Sequence, residues 1–77
     1  MADRLTIQYD CEGDVLYISK RPPYAEQESE ELCDDVVARM NPSTGEIENL
    51  EVLFFSMRLS HSALFELPLT ATFGRAD

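Results

Sequence analysis

The chain has 77 residues, 44% of them hydrophobic, with fifteen acidic residues against six basic ones and a formal charge of −9. This is the size of one small domain spanning 1–77, and its apolar content is ordinary for a globular chain, which excludes a disordered one. Nucleic-acid binding rests on neutralising phosphates, and Arg4, Lys20, Arg21, Arg39, Arg58 and Arg75 are scattered without a basic run, so neither direct nucleic-acid binding nor docking on an anionic membrane is expected.

The opening Met-Ala-Asp-Arg is followed by no apolar run, and no stretch approaches the roughly 18 apolar residues of a membrane span. A cytoplasmic setting is the expectation, with Cys11 and Cys33 as free thiols, since they form neither a C-x-x-C pair nor a metal-ligand spacing.

Taken in chain order, Leu5–Tyr9 alternates, with Leu5, Ile7 and Tyr9 on one face and Thr6 and Gln8 on the other. Val15–Ser19 is a second β-rich run. Between them, Asp10-Cys11-Glu12-Gly13-Asp14 reads as a hairpin loop in which Asp10, Glu12 and Asp14 cap local backbone groups and Gly13 eases the turn. Pro22 and Pro23 end the second strand. From Glu26 to Asp35 six of ten residues are acidic and none is basic, the pattern of a solvated loop or a short edge strand. Val36–Met40 is the third strand, Asn41-Pro42-Ser43-Thr44-Gly45 a turn, and Ile47–Phe55 the fourth strand. Short connections favour antiparallel neighbours. The expected fold class is therefore α+β and mainly β: a four-stranded antiparallel meander with a short C-terminal helix and a possible fifth strand. Ser56–Leu67 is the candidate cover for the sheet, with Ser60 or Ser62 as helix N-cap and Pro68 as its stop. Leu69–Phe73 is the possible fifth strand, and 74–77 is expected to fray.

With the strands placed, a motif can be named. Tyr9-Asp10-x-Glu12-x-Asp14-x-Leu16-Tyr17-Ile18, then an acidic stretch with Glu30, Glu31 and Leu32, then Asp35-Val36-Val37, a Gly45 turn and Ile47-x-x-Leu50-Glu51-Val52-Leu53 resemble the bacterial and archaeal family called domain of unknown function 2283, over about residues 5–55. The chain departs from that pattern at Met40 and Asn41, where family members often carry an acid. It departs again at Phe54 and Phe55, where they end in small polar residues, and its tail from Met57 has no counterpart. The resemblance implies a small β domain of unassigned activity and suggests an antitoxin-like class of partner.

No catalytic residue, metal site or cofactor is expected. Asp10, Glu12 and Asp14 invite a calcium reading, but an EF-hand loop counted from Asp10 needs glycine where Val15 stands and glutamate where Arg21 stands. His61, the one histidine, has serine neighbours but no G-x-S-x-G elbow, and a nucleophile needs a base and an orienting group in space. Cys11 stands among Asp10, Glu12 and Asp14 and Cys33 beside Asp34, surroundings not expected of a catalytic cysteine. Tyr9, Tyr17 and Tyr24 read as half-buried packing residues.

The functional expectation is a non-enzymatic, homo-oligomeric protein-binding module. Its alternative is a ligand-binding domain or small enzyme whose pocket is shared between subunits. The candidate surface for a small basic protein is Glu26, Glu28, Glu30, Glu31, Asp34 and Asp35. The candidate dimer interface is Leu53, Phe54, Phe55, Leu64, Phe65, Leu69 and Phe73, because strand alternation makes both faces apolar at the end of strand four and one layer of chain covers only one face. A core of this size rarely supplies more than about 3–5 kcal/mol. The competing account folds the tail over the second face within one chain.

Overall fold

A computed structural model describes residues 4–62 and 64–76. Five antiparallel strands form one sheet: β1 Thr6–Asp10, β2 Val15–Ser19, β3 Glu28–Cys33, β4 Val36–Met40 and β5 Ile47–Leu53. One short helix follows, α1 Phe55–His61. The mainly β, antiparallel class with a short helix after the sheet is the one the sequence predicts.

The strand count and order differ from a four-stranded meander. The order is β1-β2-β5-β4-β3. The β1–β2 hairpin lies beside a β3-β4-β5 meander, and β2 pairs with β5 rather than with its successor. The additional strand is the acidic segment Glu28–Cys33, placed at the sheet edge where its charges keep solvent on one side. Leu69–Phe73 forms no strand.

Registers put the core on one face. Ile18 faces Leu50 and Leu50 faces Ala38; Leu16 faces Val52 and Val52 faces Val36. Val36, Ala38 and Val52 have no exposed surface, and Leu50 is nearly as buried. Two bulges adjust this ladder. In β3, Glu31 faces Val37 and Cys33 faces Val36, which leaves Leu32 as the extra residue, and its side chain packs against the core. In β5, Ile47 faces Met40 and Asn49 faces Arg39, which leaves Glu48 unopposed. A bulge re-aims a side chain in this way. The other face carries Val15, Tyr17, Val37 and Leu53, all half-buried, and an Arg39 Nε to Glu51 Oε2 ion pair of 3.0 Å.

Two further expectations change. β5 stops at Leu53 because Phe54 takes a left-handed conformation (φ 53°) that turns the chain into α1. The helix also lies earlier than expected: Ser62 closes it in extended backbone, donating its N–H to the Arg58 carbonyl, instead of opening it. Residue 63, within the expected helix, and residue 77, within the expected frayed end, lie outside the described residues. Beyond Ser62 the pattern has period two. Phe65, Leu67 and Leu69 are half-buried against the core, while Leu64, Glu66, Pro68 and Thr70 are exposed. The tail is thus a non-helical strap over the core face, bent at Pro68, where the Leu69 N–H donates to the Leu67 carbonyl at 2.8 Å. Proline at 68 and alternating burial suit that conformation and not a helix. Among the described residues no helix is long and apolar enough to cross a membrane.

Candidate functional site

Two polar centres organise the molecule. The first surrounds Glu48, whose side chain is almost fully buried. Its Oε1 accepts the Tyr24 hydroxyl at 2.6 Å and Gln27 Nε2 at 3.1 Å, and its Oε2 accepts Asn41 Nδ2 at 3.4 Å and pairs with an Arg21 guanidinium nitrogen at 3.2 Å. The neighbouring Asn49 accepts from Gln27 Nε2 at 2.6 Å and donates to the Arg21 carbonyl at 2.7 Å. A buried carboxylate is costly unless its lone pairs are filled, and here four donors fill them. The Tyr24 bond first, then Gln27, Asn41 and the charge of Arg21, hold the Glu48 carboxyl below its ordinary 4.5, although desolvation opposes them. The same bond raises the Tyr24 hydroxyl. A carboxylate held as an anion by structural donors is suited to bracing the chain, not to proton transfer near neutral pH.

The second centre is Asp14, in the β1–β2 loop. Its Oδ1 accepts the Tyr9 hydroxyl at 2.6 Å and the Ser56 N–H at 2.9 Å, and its Oδ2 accepts the Ser56 hydroxyl at 2.8 Å. Its carbonyl accepts the Phe55 N–H at 3.0 Å. Helix α1 has no side-chain cap of its own at Phe54, so Asp14 meets the orphan N–H groups of its first turn from across the fold. These bonds, led by Tyr9, hold the Asp14 carboxyl below its ordinary 3.8.

Asp10 behaves as a local cap, its Oδ1 accepting the N–H groups of Glu12 and Gly13. Glu12 takes part through that N–H. Asp10, Glu12 and Asp14 therefore shape the loop, and Asp14 does more by anchoring the helix. Among the described residues no group of three or more His, Cys, Asp or Glu side chains is placed to hold a metal ion.

The acidic candidates line one edge. Glu28, Glu30 and Glu31 lie on β3, Glu26 precedes it, and Asp34 and Asp35 make the turn into β4; all six are exposed. The apolar candidates separate. Phe55, Phe65 and Leu69 pack on the chain's own core, with Phe55 between Tyr9 (5.9 Å) and Phe65 (6.0 Å). Leu53 is half-buried, while Phe54, Leu64 and Phe73 are exposed. The strap covers the core face, whereas the account that competed with a dimer laid the tail over the other face, the one that carries the half-buried Leu53.

Beside α1 lies an open concavity of about 480 Å³, lined by Asp35, Phe54, Met57, Arg58, His61, Ser62 and Phe65. Arg58 stacks over the Phe65 ring at 5.5 Å and donates to the Asp34 carbonyl. His61 Nδ1 lies 2.7 Å from the Met57 carbonyl, so the lone histidine closes a helix turn.

Sequence reasoning missed the Glu48 centre. Its signal was present: Glu48 and Asn49 interrupt the apolar run of β5 at positions a central strand buries. Compared with family models, curated proteins and solved structures, the chain matches none.

Two outcomes follow from this chemistry. An unfolded glutamate binds its proton near 4.5 and folded Glu48 binds it only at lower pH, so between those values the unfolded state carries more protons and stability rises with pH. Urea midpoints should hold steady above 4.5 and fall as pH drops through the folded value. Glu48→Gln should be less stable at about pH 6, where both carboxyls are ionised, and show a shallower acid loss, with Asp14 supplying what remains. An unchanged acid profile in that variant would place the loss elsewhere. Phe54→Gly should raise stability by about 1 kcal/mol in the same assay, because a left-handed non-glycine residue costs about 1–2 kcal/mol and the Phe54 ring is half exposed. A loss of stability would mean that the ring's packing outweighs the strain.

Proposed function

We propose that the protein is a non-catalytic binding module that takes a basic protein partner along the acidic edge of its sheet and works as a homo-oligomer. The observation that carries this reading is the placement of Glu26, Glu28, Glu30, Glu31, Asp34 and Asp35 on one outer strand and its two flanks, all exposed. Among the described residues none of the six side chains is in an ion pair, so their field is directed at solvent. Such a field speeds encounter with a positively charged surface. The bulge at Leu32 bends the strand, which favours docking by charge over addition of a flat strand.

The two carboxyls held below their ordinary values, Glu48 and Asp14, are bound up in bracing the fold, which supports binding over catalysis. The resemblance to domain of unknown function 2283 agrees, since an antitoxin-like role would require a small basic partner. The ligand-binding alternative rests on the open concavity at Phe54 and His61. Its breadth and its single histidine bonded to backbone favour it less.

Heptalysine serves as a probe. Titrated at low salt and followed by backbone amide shifts, it should perturb residues 26–35 first and weaken steeply as salt rises. The variant with Glu28→Gln, Glu30→Gln and Glu31→Gln should bind about ten-fold more weakly, roughly 1.4 kcal/mol. Equal binding by the variant, or shifts centred elsewhere, would overturn the acidic edge as the docking surface.

A further inference from the structure

The sheet has two open edges, and they differ in kind. β3 is bulged and acidic. β1 pairs with β2 on one side only, has no register shift, and every residue in it is exposed. The apolar residues on it and just before it are bare: Ile7 is 64% exposed, and Tyr9 and the preceding Leu5 about half. The stretch Leu5-Thr6-Ile7-Gln8-Tyr9 has no charge in a chain of −9, with Arg4 at one end and Asp10 at the other.

That order is self-complementary. In an antiparallel pair of identical strands related by a two-fold axis perpendicular to the sheet, opposed residues lie on the same face, so the axis must pass through a residue. With the axis through Ile7, Ile7 meets the second copy's Ile7, Leu5 meets Tyr9, Thr6 meets Gln8, and Arg4 meets Asp10 at both ends. Apolar residues face apolar residues, polar face polar, and each end brings a cation to an anion. Moving the axis to Thr6 sets Arg4 opposite Gln8; moving it to Gln8 sets Asp10 opposite Thr6.

We propose that β1 is the dimer seam of this protein: two copies join edge to edge through Arg4–Asp10, with the axis at Ile7, to form one ten-stranded antiparallel sheet. This rests on the self-association in the reading above and moves it from the apolar tail to the strand edge. Charge selects the occupant. The β3 edge cannot pair with its own copy without setting acid against acid, Glu28 against Glu30 with the axis at Ser29, or Glu30 or Glu31 against itself with the axis there, and like charges directly opposed are destabilising. Its bulge and acids also block a head-to-tail β1–β3 contact, which would grow into a filament instead of closing. A second copy at β1 covers the one flat, uncharged edge and leaves both acidic edges at the outer ends of the sheet, free for the basic partner.

Site-directed crosslinking reads the seam. In a background with the exposed Cys11 and Cys33 changed to Ser, Ile7→Cys should oxidise to a covalent dimer, because opposed residues bring their Cβ atoms to about 4.5–5.5 Å. Gln8→Cys, one residue off the axis, should stay monomeric on the same gel. Sedimentation equilibrium of the unaltered chain at tens of micromolar should give twice the chain mass. Arg4→Glu, at an exposed position, should weaken that dimer about ten-fold at low salt. A monomeric unaltered chain overturns the seam and self-association together. A dimer that crosslinks through Gln8→Cys overturns the axis at Ile7, and one that ignores both Ile7→Cys and Arg4→Glu overturns the seam and returns the interface to Phe54, Leu64 and Phe73. Heptalysine binding at β3 is read separately and survives or fails independently of all of these.

Discussion

A buried carboxylate decides how this chain is threaded. Glu48 sits in a bulge of β5, and its oxygens are met by donors from Tyr24 and Gln27, which belong to the connection leaving β2, and from Asn41 at the end of β4. Arg21 adds its charge from the same connection, and the Lys20 N–H bonds the Glu48 carbonyl. The connection from Ser19 to Glu28 is thereby tied across the start of β5. With that tie made, β2 takes β5 as its neighbour and β3 is carried to the far edge. Every later feature follows from this placement: a central β5, a core on one of its faces, and an acidic strand on the outside.

The rest of the stability comes from a small core closed by short-range devices. Four buried side chains, Val36, Ala38, Leu50 and Val52, form its centre, and burial of one such aliphatic side chain is worth only about 1.5–3 kcal/mol. The strap of Phe65, Leu67 and Leu69 adds apolar cover, but it has to be led there. Phe54 turns the chain out of β5, Asp14 receives the first turn of α1, and Phe55 lodges between Tyr9 and Phe65. The strained residue and the remote cap therefore act as one corner. Without Asp14 the helix would begin with unmet N–H groups, and without the turn at Phe54 the strap would leave in the wrong direction.

Much of this was legible in the sequence wherever the determinant was local. The β1–β2 hairpin, the Asn41–Gly45 turn and β4 follow from alternation and turn chemistry; Asn41 Oδ1 accepts Ser43 and Thr44 N–H groups, and Gly45 takes φ 75°. The acidic segment was readable as loop or edge strand, and its choice depended on β4 offering a partner. Strand order was not legible, because it depends on Glu48 meeting residues more than twenty positions away. The helix was misplaced because its cap is Asp14, forty-two residues from Ser56, whereas cap rules look for the acceptor next to the helix. Phe65, Leu67 and Leu69 were legible as apolar surface needing cover, but not as their own strap, since period two outside a sheet has no hydrogen-bond partner to mark it.

The two sheet edges thus have opposite characters for one reason: the tie at Glu48 leaves β1 and β3 at the ends, one uncharged and flat, the other acidic and bulged. The proposed partner docking and the proposed self-association use those edges, and both proposals presuppose the tie. The direct test is a double-mutant cycle between Tyr24→Phe and Glu48→Gln, read as unfolding free energy in urea at neutral pH. If Glu48 holds the β2–β3 connection through Tyr24, the two losses are strongly coupled, and the double variant is little worse than Glu48→Gln alone. Losses that add to within about 0.3–0.5 kcal/mol, as for independent sites, would contradict the account.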